Sequence, residues 1–560
     1  MVGAGRGPVD EAATQYVAET IVETASGRLR GIARNGIHSF RGVHYGASTA
    51  GRNRFRAPQP VQPWVGVRDA LAFGPTCPQQ PIRYELPMFA WYHPELHDSE
   101  DCLTLNVYTP GVRDGDIRRR PVMVWLHGGG FSVGGSTAEV FDGSNLARHG
   151  DVVVVTVTHR LNLFGFMYLA DRGEAFCDSG NAGMLDVVAA LQWVRDNITQ
   201  FGGDPANVTL FGQSGGTGKV STILAMPAAK GLIHKAILQS GCALTLRTTE
   251  QAARHAAEVL SHLPWDGKDL DALYDMPVGQ LLAASRAGGP NFGPAVDGVT
   301  LPRHPFDPDA PEVSAHVPVI IGSTAQEATY SYRKGAGLDA LRLSHSDDMA
   351  EVRERLVHKL RCDGPAADRL LAVYRSSHPG MTPSQLMIAV ESDYLYRLKC
   401  TQFAERKAAQ GRAPVYMYHL AWQTRGMGGL FGATHTMCPP LSFRNPHVAE
   451  ELLGTGPEVE ALSDRISTAW VAFARTGDPN SARTGDPNAA HAGNRHHGEH
   501  ESPLPQWQPY TLPERPTLVF DNVCRVVNDL FAEDRLAIAV HGPHANYIES
   551  VKRKFTKQVA

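Results

Sequence analysis

The stretch Asn207-Val208-Thr209-Leu210-Phe211-Gly212-Gln213-Ser214-Gly215-Gly216 decides the fold. Val208 to Phe211 are β-branched, aliphatic and aromatic and read as a buried strand. Thr217 to Met226 read as a helix. Between them, Gly212-Gln213-Ser214-Gly215-Gly216 fits G-x-S-x-G, the pattern of a serine held at a sharp strand-to-helix turn. Gly212 and Gly216 stand where strand and helix come close and a Cβ would clash. A second match surrounds Ser132 in Gly130-Phe131-Ser132-Val133-Gly134. It follows a glycine run and has no helical pattern behind it, so Ser214 is the candidate nucleophile.

Outward from this turn, apolar runs alternate with helical patterns. Pro121–Leu126, Val152–Thr156, Lys235–Ser240, Val317–Gly322, Pro414–His419 and Thr517–Phe520 read as strands. Leu185 to Thr199 carry Val187, Leu191, Val194 and Ile198 at helical spacing. Continuous apolar strands separated by helices predict an α/β protein with a large central, mostly parallel sheet covered by helices on both faces. Together with the serine turn between strand and helix, this is the pattern of the α/β-hydrolase fold. Sites in such sheets lie beyond the C-terminal strand ends. Short strands Ile21–Thr24, Gly27–Gly31 and Ile37–Phe40 precede this core.

We read residues 1–20 as a tail, 21–535 as one catalytic domain and 536–560 as a second tail. Residues 245–312 and 333–395 read as helical, cap-like insertions. Ala474-Arg-Thr-Gly-Asp-Pro-Asn480 recurs as Ala482-Arg-Thr-Gly-Asp-Pro-Asn488, followed by His491, His496, His497 and His500. We read 476–503 as a mobile, solvated loop, since no acidic or cysteine ligands accompany these histidines at fixed spacing.

The 560 residues carry a formal net charge of −4, and 42% are hydrophobic, an ordinary globular composition. No basic stripe points to nucleic acid. No apolar run reaches the roughly 20 residues that span a bilayer. Residues 1–19 lack the charged-then-apolar pattern of a leader, which fits either a cytoplasmic chain or an exported one already processed. Eight cysteines in so long a chain do not make a disulfide scaffold, and no C-x-x-C is present. No metal and no organic cofactor is expected, and monomer and homodimer both remain open.

A serine hydroxyl needs a base to take its proton, and its attack on a carbonyl creates an oxyanion that needs N–H donors. His127-Gly128-Gly129-Gly130 follows the 121–126 strand, where this fold places that loop. Gly129, Gly130 and the N–H of Gly215 are the candidate donors.

At this point the chain resembles the type-B carboxylesterases, the group that includes cholinesterases and bacterial para-nitrobenzyl esterases. The matching stretches are Phe40-Arg-Gly-Val-His-Tyr45, Ser99-Glu-Asp-Cys-Leu-Thr-Leu-Asn-Val107 and Trp125-Leu-His-Gly-Gly-Gly-Phe131. They continue with Asn162-Leu-Phe-Gly-Phe166, Gly180-Asn-Ala-Gly-Met-Leu-Asp186, Phe201-Gly-Gly-Asp-Pro205, the serine turn and Gln239-Ser-Gly241. The resemblance runs from about Val22 to Asp529.

The resemblance implies a triad in the order Ser214, Glu327, His435, with the acid in Gly322-Ser-Thr-Ala-Gln-Glu327 and the base in Gly432-Ala-Thr-His435. It implies a disulfide between Cys77 and Cys102, and more loosely one between Cys400 and Cys524. It places Phe89, Trp91, Phe131, Tyr330 and Phe431 at the pocket wall and Ser240 behind the triad. Four positions depart from the family pattern. Gln213 stands where Glu is usual, Gly215 for Ala, Ala328 for Gly, and Cys438 for an acid. These departures fit a bacterial-type branch and weaken any transfer of cholinesterase specificity.

The expected activity is serine-dependent hydrolysis of a small-molecule carboxylic ester, apolar or aromatic and small to medium in size, through an acyl-enzyme. The same triad serves amides, carbamates and larger lipid or toxin esters. A non-catalytic binding protein of this fold would lack the serine, and Ser214 is present. Asn197-Ile-Thr199 and Asn207-Val-Thr209 fit the N-glycosylation pattern but fall in predicted regular structure and read as accidental.

Overall fold

Along each central strand, successive side chains go to opposite sides, and both sides are apolar. The computed structural model describes residues 17–81, 86–95, 97–112, 119–265, 269–289, 291–334, 348–480 and 504–541. In it, Val122, Val124 and Leu126 enter one core while Met123 and Trp125 enter another. Val153, Val155 and Val157 likewise separate from Val152 and Val154, and Ala236 and Leu238 from Ile237. This parity split makes a sheet buried on both faces read as a continuous apolar run.

The strands are β1 (Val17–Thr24), β2 (Gly27–Arg34), β3 (Ile37–His44), β4 (Val67–Asp69), β5 (Thr104–Thr109), β6 (Arg120–Leu126), β7 (Val153–Val157) and β8 (Gly203–Gln213). They continue as β9 (Lys235–Gln239), β10 (Arg247–Thr248), β11 (Ala295–Val296), β12 (Val319–Thr324), β13 (Val415–Leu420), β14 (Pro516–Phe520) and β15 (Arg525–Asn528). The large sheet runs in the order β1-β2-β3-β5-β7-β6-β8-β9-β12-β13-β14-β15, with β4 beside β2. From β7 to β14 every neighbour is parallel. The pairs β1/β2, β2/β3, β3/β5, β5/β7 and β14/β15 are antiparallel. This is the large, mostly parallel sheet of an α/β-hydrolase, as the alternation of apolar runs predicts.

Helix Ala182–Asn197 covers one face with Met184, Val187, Leu191 and Val194, beside Val220 and Ile223 of helix Gly215–Ile223. Helix Pro457–Thr476 covers the other with Val459, Leu462, Ile466, Trp470 and Phe473. Trp125 anchors that second core, its ring centroid 5.0 Å from Phe141, 4.9 Å from Phe211 and 5.0 Å from Phe443. Burying a side chain of this size contributes about 2–3 kcal/mol.

Helices Met349–Leu360, Gly364–Ser377 and Pro383–Ser392 form a separate cluster around Leu356, Leu370, Tyr374 and Val390, joined by Ile538 of helix Ala532–Ala539. Helices Thr249–Ser261 and Val278–Gly288 lie within the 245–312 segment. Most of the 476–503 segment, including the second heptapeptide copy and its four histidines, lies outside the described residues.

The disulfides implied by the resemblance are not formed: all eight cysteines are free. Cys77 and Cys102 are both buried side by side, but the Cys77 sulfur accepts the Leu161 N–H at 3.3 Å. Contact with Cys77, together with burial, holds the Cys102 thiol well above its ordinary range. The base of the loop is closed by hydrogen bonds instead. The Thr76 hydroxyl donates to Asp98 Oδ1 at 2.7 Å, and Ser99 N–H to the Thr76 carbonyl at 3.0 Å. Cys400 is buried on the Gly322 carbonyl, and Cys524 faces Asp521 instead of Cys400. Both Asn-x-Thr asparagines are engaged internally. Asn197 Nδ2 donates to the Trp193 carbonyl at 2.9 Å, and Asn207 Nδ2 to the Arg475 carbonyl at 3.3 Å.

Candidate active site

Ser214 sits between β8 and helix Gly215–Ile223 with φ +57° and ψ −121°. A non-glycine residue at positive φ is strained, and such strain persists where surrounding structure overdetermines it. Here Ser214 N–H donates to the Gln239 carbonyl at 3.0 Å, and the Ser214 carbonyl accepts from Thr217 Oγ1 at 2.5 Å. The two flanking glycines permit the turn. A Cβ on Gly212 would stand 2.7 Å from the Gly216 carbonyl carbon, and one on Gly216 only 2.1 Å from the Leu126 carbonyl oxygen.

That clash is with backbone on both sides and has no side chain to yield. Gly216→Ala is therefore expected to destabilise the fold by about 3 kcal/mol or more, seen as a lowered thermal unfolding midpoint. Gly218→Ala, two residues on, meets only the Phe131 ring at 3.3 Å and is expected to leave the midpoint nearly unchanged.

The other expected groups come from neighbouring strand ends. Glu327 follows β12, and His435 follows β13 through a longer loop. A single parallel bridge, Gln326 to Thr434, ties the two segments together. The Thr329 hydroxyl reinforces it, donating to Thr434 Oγ1 at 2.9 Å. Glu327 and His435 are both buried. The Glu327 carboxylate accepts Thr324 N–H on Oε1 at 2.8 Å and His435 Nδ1–H on Oε2. Behind it lie Ser240, Tyr418 and Cys438, and burial together with the Glu327 charge pushes the Cys438 thiol up to about 12.

The glycine loop following β6 closes the other side. Gly129 and Gly130 have φ of +87° and +67°, values that favour glycine. The Gly130 backbone is packed against Gly215, where a Cβ would lie 2.2 Å from the Gly130 carbonyl oxygen. Glycine at 215, where the family usually has alanine, thus lets the loop and the serine helix touch. The Gly215 N–H opens the helix and, like all first-turn donors, has no partner within it.

Four of the five aromatic residues expected at the pocket gather on the His435 side. Phe89, Phe431, Trp91 and Tyr330 pack in one cluster with Met88 and Leu452. The Phe89 ring is 5.0 Å from Phe431 and 5.4 Å from Tyr330. Phe131 lies apart, against Phe166 at 5.3 Å.

One residue at the site, Tyr396, escaped the sequence reading. Tyr396, in a π-helical turn over Asp393–Arg397, stacks obliquely on His435 at 4.7 Å, and Tyr330 does so at 5.3 Å. Tyr92 donates its hydroxyl to Gln213 Oε1, and Gln213 Nε2 lies 3.2 Å from His435 Nε2. With Nδ1–H committed to Glu327, His435 Nε2 carries the lone pair, and the Gln213 amide donates to it. Ser214 Oγ makes no hydrogen bond to a described residue, and the Gln213 amide occupies Nε2.

This arrangement agrees with what the whole chain resembles. The model of the carboxylesterase family matches residues 18–535. The chain belongs to the carboxylesterase family. Para-nitrobenzyl esterase of Bacillus subtilis (strain 168) is 35% identical over 527 residues, covering 92% of this chain and 97% of that one. Phenmedipham hydrolase of Pseudarthrobacter oxydans is 30% identical over 543 residues, 93% and 99% of the two chains. The crystal structure of a Geobacillus stearothermophilus carboxylesterase superposes with a TM-score of 0.76 at 34% identity, covering 92% of this chain and 99% of that one.

This carboxylesterase is therefore an enzyme that hydrolyses esters, and no helix among its described residues is long and apolar enough to cross a membrane. Its Gln213 gives a direct test of the contact on His435. Gln213→Glu would set a carboxylate where the amide now lies, favouring the imidazolium. The acidic limb of kcat/KM is expected to move to higher pH by about one unit, read from pH-rate profiles of the two proteins.

Proposed function

We propose that the chain hydrolyses small to medium apolar or aromatic esters through an acyl-enzyme formed on Ser214. His435 Nε2 takes the Ser214 proton as Oγ attacks the ester carbonyl. Glu327 holds the imidazole in the Nδ1–H tautomer and stabilises the imidazolium. The N–H groups of Gly129, Gly130 and Gly215 receive the oxyanion. His435 then protonates the departing alcohol, and a water activated by the same nitrogen releases the acid. For the first proton transfer, Gln213 yields Nε2 to Ser214.

The observation that carries this reading is the buried Glu327 carboxylate on His435 Nδ1, with a strained serine at the end of β8, which β9 separates from β12. Tyr330 and Tyr396 both lie against His435, the base that protonates the departing alcohol, which favours an aromatic or apolar leaving group. Relatives named para-nitrobenzyl esterase and phenmedipham hydrolase fit one machinery serving several leaving groups. Amides, carbamates and larger esters therefore belong in the same substrate panel.

The test is stopped-flow hydrolysis of para-nitrophenyl acetate, butyrate and octanoate. A burst of one para-nitrophenol per chain, and labelling of Ser214 by a serine-directed phosphonate, are expected. Label on any other residue, or none, would count against the assignment. The rate trend with acyl length then measures the depth of the acyl pocket.

A further inference from the structure

Lys219 is the only charged residue between Asp204 and Lys230, and it is wholly buried. It lies on the helix that starts after Ser214. Its Nζ makes one hydrogen bond among the described residues, donating to the His127 carbonyl at 2.9 Å. Burying an amine is costly without a partner, and burial holds the Lys219 amine well below its ordinary value. A group so expensive to bury here meets the backbone carbonyl that opens the glycine loop.

The next carbonyl is held as well. His127 Nδ1 donates to the Gly128 oxygen at 2.8 Å, which leaves Nε2 as the lone-pair nitrogen. Burial keeps His127 and its stacked neighbour His159, 5.1 Å away, far below the ordinary imidazole range and so uncharged. In a trans peptide the carbonyl and the following N–H point in opposite directions. Holding the His127 and Gly128 carbonyls therefore fixes the N–H vectors of Gly128 and Gly129. Glycine offers little resistance to a peptide flip, and a flip of the Gly128–Gly129 peptide, one residue beyond the carbonyl that Lys219 holds, would replace an oxyanion donor with a repelling carbonyl.

We propose that Lys219 is a positioning residue of the oxyanion hole, clamping the His127–Gly130 loop to the helix that carries Ser214 and Gly215. The inference rests on the oxyanion reading above. The lysine joins the two halves of the hole, since Gly215 comes from its own helix and Gly129 and Gly130 from the loop it grips. It acts through backbone and touches no substrate.

Lys219→Met keeps the apolar stem and removes the donor. Against para-nitrophenyl butyrate, kcat is expected to fall about 10- to 100-fold with KM within about twofold. Affinity for an aliphatic trifluoromethyl ketone, which forms an oxyanion on the serine, should fall by the same factor as kcat/KM. A lysine that only filled space would not produce that parallel loss. Wild-type kcat and ketone affinity in a folded Lys219→Met, or a change in KM alone, would overturn the proposal. Should Lys219→Met not fold, Lys219→Gln carries the same two readings. Failure of both to fold would assign the lysine to stability and also overturn it. Ser214→Ala, assayed alongside, separates the two levels. Activity in that variant strikes the catalytic reading, whereas an inert Ser214→Ala beside a fully active Lys219→Met strikes the lysine alone.

Discussion

Ser214→Ala is expected to lower kcat toward para-nitrophenyl butyrate by about 10⁵-fold while leaving KM and the thermal midpoint close to those of the wild type. The size follows from the chemistry. On the proposed mechanism, without Oγ there is no acyl-enzyme, and water must attack directly. The glycine loop and the pocket still bind the substrate, so some acceleration over free water remains. The fold has little to lose, because Ser214 Oγ bonds to no described residue and the strained backbone is held by Ser214 N–H on Gln239 and by Thr217 on the Ser214 carbonyl. A loss of less than tenfold, with no phosphonate adduct at Ser214 in the wild type, would move the nucleophile elsewhere.

The parts of the molecule that were legible in the sequence are those encoded locally. A strand buried on both faces advertises itself as an apolar run, as in 121–126 and 152–156. A backbone approach too close for Cβ advertises itself as glycine, as at Gly212 and Gly216. Strand β5 shows the limit. Thr104-Leu-Asn-Val-Tyr-Thr109 alternates polar and apolar residues, yet all six are buried. Its asparagine is satisfied by Ser136 at 3.1 Å and Thr156 at 3.0 Å, partners far away in the chain. A rule based on apolar runs passes over such a strand.

The same limit applies at the site. The chain order Ser214, Glu327, His435 came from motif resemblance, but Tyr396 stacks on His435 from a helical turn with no motif of its own. Tyr92 reaches Gln213 from the loop between Cys77 and Cys102, and only the fold brings them together. Lys219 did leave a signal, an isolated charge in a run otherwise suited to a core helix. The cysteines err the other way. The motif resemblance implies a disulfide, but Cys77 and Cys102, although in contact, are both free thiols.

Glu327→Gln is expected to lower kcat about 10⁴-fold with little change in KM, although the side chain keeps its shape. The reason lies in the two bonds its carboxylate accepts. Oε1 takes Thr324 N–H and Oε2 takes His435 Nδ1–H, so both neighbours are donors. A glutamine has one acceptor and one donor. Its oxygen settles on Thr324 N–H, since that backbone donor has no other tautomer, and its NH₂ then faces His435 Nδ1. The imidazole must give up the Nδ1 proton and carry it on Nε2, where it no longer accepts from Ser214. The reverse placement leaves Thr324 N–H buried against an NH₂, which costs about 1–3 kcal/mol and returns little catalysis. Steady-state kinetics on para-nitrophenyl butyrate measure the effect, and phosphonate labelling of Ser214 should slow in the same proportion, because both depend on the base at Nε2. A loss under tenfold would mean that another carboxylate orients His435, and no other acid bonds to the ring among the described residues.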